Sequence, residues 1–400
     1  MFDKALVYRA GVKSKVDIGL LAETLFFYGR THLLLDRASL VALVKQIPYD
    51  VLLDLFDSAA IQLSYVRQNF AVMSGGVPTA YDFGAVTVQG NVDGSKLRNH
   101  QDEIAEALTR ELGRSRETEK FAQKIADKAA LHRYRGLPEK EKVVPDLMRA
   151  DLEDQNFVHQ AVKSVLMHMV PGFTEDIGFT FRLFRSEKGD FFIDTDLNFE
   201  RLNEAFHTVV PVAEDSLTPA RILAEIQDAR ADTFFAAHYM AEPVTGSLSS
   251  DIMRLKHFEF LRSRSANTDD IELFHELVVP DFPTIREALN SGERSFWDFV
   301  QFLPRANRFK KFLTEANPDV GLVKSYQDEV TRKSWVETLP GKSIRFVVAA
   351  GTGLAASSVI GPIGGLAVGA TNTFLLDRLL KGWKPNRFIQ GPYKRFVLPE

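Results

Sequence analysis

The alternation of apolar and polar residues changes period several times along the chain, and each change marks an element. In VDIGLLAETLFFYGR the residues Ile18, Leu21, Leu25 and Tyr28 recur near helical spacing, and Gly29 marks a stop. THLLLD then predicts a short buried strand. Asp36 is placed to cap the next helix, whose stripe of Leu40, Leu43, Val44 and Ile47 runs up to Pro48. VLLDLF predicts a second short helix, and IQLSYV, FAVMS and YDFGAVTVQ have the β-rich look of an antiparallel set. Residues 1–95 are therefore expected to form a small N-terminal α+β unit.

Residues 96–215 read as helices plus an antiparallel hairpin. Ile104, Leu108 and Leu112, then Phe121, Ile125 and Ala129, fall at four-residue intervals among charges, the pattern of helices with wide solvated faces. A further helix through Val162, Val165 and Leu166 ends near Pro171. In the hairpin, Ile177, Phe179, Phe181 and Leu183 alternate with Gly178, Thr180 and Arg182, SEKGD turns, and FFID returns. Asn198 caps a helix carrying Phe199, Leu202 and Phe206.

Residues 216–340 read almost wholly as helix. Thr218–Pro219 is a cap followed by proline in the first turn, Asn267 or Thr268, Ser295 and Asn317 are further start signals, and Pro243, Pro280 and Pro304 are breaks or kinks. Residues 341–400 complete the chain as a Gly/Ala-rich helical hairpin with a basic aromatic tail. Strands segregated from a long run of helices predict a helix-dominated α+β fold in place of a doubly wound parallel sheet.

Composition adds limits. The chain of 400 residues is 45% hydrophobic and 26% charged with a net charge of −4, which suits a globular protein with real cores and argues against nucleic-acid binding as a main role. The absence of cysteine removes disulfides, thiolate nucleophiles and Cys-ligated metals, and suits a reducing compartment. MFDKALVYRAGVKSKVD lacks the apolar run of a signal peptide, so a cytoplasmic location is expected.

Most chemical motifs fail on inspection. LPGKS ends like a phosphate-binding loop, but Val336 stands where the first glycine is needed. IRFVVAAGTGLAAS imitates a dinucleotide fingerprint through Gly351, Gly353 and Ala356, yet too little chain follows for a βαβ unit. DTDLN sets Asp194, Asp196 and Asn198 at alternate positions, but Phe199 and Ala205 occupy the glycine and glutamate positions of a calcium loop, so a strand end plus helix cap is expected. Glu225, Asp228 and Asp232 share a helix face, more in keeping with a solvated face than a metal site. The histidines are dispersed, with His168 and His275 expected in or beside cores, and no GxSxG elbow is present. No cofactor, no metal ligands and no catalytic residues are assigned.

One segment stands apart. FVVAAGTGLAASSVIGPIGGLAVGATNTFLL, residues 346–376, holds no charge, and its run exceeds the ~20 residues needed to cross a hydrocarbon core. Gly361, Gly365 and Gly369 form consecutive GxxxG steps that let another helix approach closely. Beyond it Lys381, Lys384, Arg387, Lys394 and Arg395 interleave with Trp383, Phe388, Tyr393 and Phe396, as at a lipid headgroup layer. Against insertion, the run is poor in leucine, and GPIGG divides it into halves of about 15 residues, too short to cross as straight helices. Single crossing, conditional contact at the inner face of the membrane and a buried soluble hairpin all stay open.

RANRFKKFLTEANPDVGLVKSYQDEVTRKSWVETLPGKSIRF and FLLDRLLKGWKPNRFI, and more faintly LLAETLFFYGRTHLLLDRASL, resemble a family of bacterial proteins without an assigned activity. The resemblance covers about the last quarter of the chain. It implies a bacterial cytoplasmic origin and brings no catalytic or binding residues. The expected function is that of a non-enzymatic interaction protein whose glycine-rich C-terminal helices mediate self-association, partner docking or conditional membrane contact. Gly361, Gly365 and Gly369 would make helix contacts, while Lys381, Trp383, Lys384, Arg387, Lys394 and Arg395 would meet the membrane or another anionic surface. The alternative is a soluble enzyme with a composite site between the N-terminal sheet and the helical body.

Overall fold

The computed structural model describes the chain except residues 1, 9–15, 58–60, 77, 88–90, 93–94, 97–98, 133–142, 212–215, 279–282, 316–321, 323–384 and 399–400. The expected Gly/Ala-rich hairpin, the start signal at Asn317, the LPGKS and IRFVVAAGTGLAAS motifs, Gly361, Gly365 and Gly369, and Lys381, Trp383 and Lys384 lie outside the described residues.

In chain order the elements are β1 (Lys4–Tyr8), α1 (Ile18–Phe27), β2 (Arg30–Leu35), α2 (Arg37–Gln46), α3 (Tyr49–Asp57), β3 (Ile61–Tyr65), β4 (Gln68–Gly75) and β5 (Ala80–Thr87). A short pair, β6 (Asn91–Val92) and β7 (Ser95–Lys96), precedes α4 (His100–Leu112), α5 (Arg116–Lys128), β8 (Ala130–Leu131), α6 (Val143–Asp151) and α7 (Gln155–Met169). Then come β9 (Phe181–Arg185), β10 (Phe191–Thr195), α8 (Phe199–Phe206), α9 (Pro219–Tyr239), β11 (Glu242–Val244), α10 (Ser247–Val278), α11 (Ile285–Asn290) and α12 (Phe296–Glu315). α13 (Pro385–Phe388), a π turn (Ile389–Tyr393) and α14 (Lys394–Val397) form the described tail. The fold is helix-dominated α+β, as the sequence predicts.

Local chemistry sets most helix starts. Asp36 accepts from the Ser39 backbone N–H at 2.8 Å while the Ser39 hydroxyl accepts from Asp36 N–H, a reciprocal cap that satisfies two otherwise unpaired donors. Asn198 and Thr218 cap α8 and α9, and Asp194 ends in β10, so DTDLN is a strand end followed by a cap. Asn267 and Thr268 instead lie inside α10. Pro304 sits within α12 without ending it, exposed beside the buried Leu303 and Ala306.

The chain forms two compact units, one of residues 1–4, 17–31 and 264–400, the other of residues 5–16 and 32–263. The larger unit holds a five-stranded sheet in the order β11-β1-β2-β3-β8 and a four-stranded one in the order β4-β5-β10-β9. The pairs β1–β11 and β3–β8 are parallel. Contacts from His32 to Ser64 and from Leu35 to Val66 advance together, so β2 and β3 also run in one direction. The second sheet is antiparallel, with β4–β5 in register from Gln68↔Thr87 to Gly75↔Ala80 and β9–β10 from Phe181↔Thr195 to Arg185↔Phe191. IQLSY therefore belongs to the parallel sheet and not to the antiparallel set, because period-two alternation does not encode the direction of a partner. The antiparallel sheet turns Tyr81, Phe83, Phe181, Leu183 and Phe191 onto a core shared with α6, α7 and α9.

The smaller unit is built on aromatic packing. Phe26 and Phe27 of α1, Phe274 of α10 and Phe299, Phe302, Phe309 and Phe312 of α12 are buried. α1 approaches α11 so closely that a Cβ on Gly19 would lie 2.6 Å from the Arg286 carbonyl oxygen. Glycine is required there by contact, not by its backbone angles.

Candidate functional site

The strands β2, β3 and β8 collect polar side chains from segments far apart in sequence. On one face His32 and Ser64 are buried and their Nε2 and Oγ atoms lie 2.9 Å apart. Tyr239, the last residue of α9, stands edge-on to the His32 ring at 4.1 Å, and its hydroxyl meets His132 Nδ1 at 2.5 Å. His132 leaves β8 beside the end of β3, donating its backbone N–H to the Tyr65 carbonyl, and its ring lies 5.1 Å from His238. Burial, with a smaller contribution from the nearby His238, lowers the His132 pKa to about 4. At neutral pH His132 is thus uncharged, so one ring nitrogen can accept while the other donates. A neutral imidazole paired with a phenol can pass a proton in either direction.

Successive strand residues point to opposite faces, so Tyr65 turns away from Ser64 and onto α4. It lies 6.5 Å from the His100 ring. Beside it Arg67 Nε donates to the buried Glu103 carboxylate at 2.8 Å. Burial raises the Glu103 pKa against the opposing hydrogen bond and charge of Arg67. The Tyr65 pKa is raised by burial and by the charges of Glu103 and Asp36. Sequence reading missed this constellation because His132 and Tyr239 are separated by 107 residues and no local motif links them. The only local trace is the His238–Tyr239 pair at the end of α9.

The predicted tail residues divide by chemistry. Phe388, Tyr393 and Phe396 are buried, not presented to a lipid layer as their interleaving with cations suggests. Phe396 stacks on Phe302 at 4.5 Å, Phe388 on Phe309 at 5.1 Å, and Tyr393 packs on Phe26 at 5.6 Å. Arg294 closes the seat by donating to the carbonyls of Phe396, Arg395 and Leu398 at 2.5, 3.0 and 2.8 Å. Arg387, Lys394 and Arg395 are exposed on the outer side. The buried rings and the exposed cations thus lie on opposite sides of the run from α13 through the π turn to α14.

Phe309 and Phe388 lie on either side of residues 316–384 in sequence yet pack together in space. Among the described residues no helix is long and apolar enough to cross a membrane.

Other expectations also meet the structure. Asp232 is buried and accepts from the Ser249 hydroxyl, so that part of its helix face is not solvated. Among the described residues no group of three histidine, aspartate or glutamate side chains could hold a metal ion. His168 is exposed, with Nε2 3.3 Å from Asp251, and does not pack into a core. His275 does, against Phe27 and Phe274, and burial lowers its pKa to about 4.

No protein-family model, no curated protein and no solved structure matches this chain.

Proposed function

We propose that this is an interaction protein whose C-terminal glycine-rich segment mediates self-association, partner docking or conditional contact with an anionic membrane. The supporting observation is the seated tail: its rings are fixed in the aromatic groove while Arg387, Lys394 and Arg395 face outward. A cationic surface beside an uncharged, glycine-laddered segment combines headgroup attraction with a backbone suited to close helix contact. Each cation near an anionic surface contributes roughly 1 kcal/mol, so the three charges give a preference on the order of 100-fold. Flotation with phosphatidylserine-containing and neutral vesicles tests this. The expected result is recovery with the anionic vesicles alone, lost when Arg387, Lys394 and Arg395 are all changed to Gln. A parallel mass measurement should show weaker self-association in Gly365→Leu. No vesicle binding and a monomeric mass in every variant would remove the membrane and self-association versions.

A second reading is an enzyme with a composite site between the parallel sheet and α9, favoured by the neutral His132 paired with Tyr239. A thermal-shift screen of small metabolites should then find a compound that stabilises the wild type but neither His132→Gln nor Tyr239→Phe. If no compound separates the three proteins, the reading fails.

A further inference from the structure

The outer face of the antiparallel sheet carries a concave opening of about 590 Å³. It arises from the strand pairing. β5 and β10 meet over only two residue pairs, Phe191↔Tyr81 and Phe192↔Ala80. Tyr81 and Phe191 turn inward to the core, so their neighbours Ala80, Asp82, Asp190 and Phe192 face the other way. The end of β4 supplies a wall with Met73, which is 47% exposed, and Gly75.

The polar groups in this hollow are not equivalent. Asp82 is held by Arg149, which donates to it through Nε at 3.0 Å and Nη2 at 2.8 Å and also caps the Phe83 carbonyl at 2.5 Å. The Asp82 charge is therefore already matched. The Asp190 carboxylate has no ion pair and no side-chain hydrogen bond among the described residues. A hollow with an apolar floor and one unmatched carboxylate at its rim is complementary to a cation on an apolar stem.

We infer that this hollow is a binding site for a short extended peptide of a partner protein that carries lysine or arginine next to an apolar residue. The apolar side chain would lie on Ala80, Phe192 and Met73, and the cation would reach Asp190. The volume falls within the roughly 300–1,000 Å³ of sites that take ligands several side chains in size. Its open mouth suits a peptide that keeps one side in solvent. This site is independent of the C-terminal segment.

Gly75 provides a clean test. A Cβ there would meet nothing within 4 Å, and the backbone is not left-handed, so Gly75→Leu adds bulk at the lining of the hollow without a clash at Cβ. With the full chain labelled at its methionine methyls, the probe peptide acetyl-Ala-Lys-Phe-Lys-amide should shift the Met73 resonance in a saturable manner. The matched Glu peptide should not. Asp190→Asn should weaken binding about tenfold, the effect of one charge-assisted contact of ~1.4 kcal/mol. Gly75→Leu should abolish the shift while the thermal midpoint stays unchanged. An unshifted Met73 overturns the inference. So does a shift of equal size with the Glu peptide, or one that survives in both variants.

Discussion

At the scale of single residues, the smaller unit keeps several polar groups in apolar surroundings. Lys310 is 6% exposed on α12 and makes no ion pair or hydrogen bond among the described residues, and burial lowers its pKa to about 8 from 10.5. Between these values the unfolded chain binds the proton that the folded chain has released. Stability therefore rises as pH climbs through the window from 8 to 10.5, and the cost of the buried charge is fully present below pH 8. The displacement corresponds to roughly 3 kcal/mol as an upper figure. Lys310→Met should raise unfolding stability at pH 7 by about 1–3 kcal/mol, with the gain shrinking toward pH 10.5, as measured by urea titration at both values. A destabilised Met variant at pH 7 would show that the ammonium is matched in solution. Tyr393 has the same character: its fully buried hydroxyl has no partner among the described residues, and burial raises its pKa.

At the scale of elements, agreement between sequence and structure follows the range of the forces involved. The caps at Asp36, Asn198 and Thr218, the start of α9 and the β9–β10 hairpin are where the sequence places them, except that β9 begins at Phe181, so that Ile177 and Phe179 precede the strand. Each is fixed by residues within a few positions of one another. Among the elements that escape notice are α6 and the short strands β1, β6, β7, β8 and β11, of two to five residues. Such strands are too short to carry a period, and β1, β8 and β11 form because a remote backbone supplies their hydrogen bonds. The tail is the opposite case, since its composition is plain but its placement depends on Arg294. Arg294→Ala removes three bonds to tail carbonyls and should cost about 1.5–3 kcal/mol at a charged donor. Hydrogen exchange of residues 385–397 should then speed up while α9 keeps its protection. Unchanged exchange in the tail would mean that the aromatic contacts alone hold it.

At the scale of the whole molecule, the candidate site was illegible in the sequence for a definite reason. His32, Ser64, His132 and Tyr239 come from β2, β3, the end of β8 and the end of α9, and only the sheet order brings them together. Nothing about His132 in the linear chain distinguishes it from His168. Burial beside His238 and Tyr239 makes one a neutral buried imidazole, while the other faces Asp251 at the surface. The aromatic tail teaches the same lesson from the other side. Alternating cations and rings fit a headgroup layer and a helix with one buried face equally well, because both are boundaries between polar and apolar surroundings.

The amino-acid sequence by itself determined the helix-rich α+β class, the capped helix starts, the hairpin and the charge contrast of the C-terminal region, since these depend on neighbours along the chain. Only the tertiary structure decided that short strands join a sheet with parallel pairs, that the tail's rings are core while its cations are surface, and which histidine is buried against a tyrosine. Those outcomes depend on desolvation and on hydrogen-bond partners contributed by segments a hundred residues away, and local patterning carries no record of them.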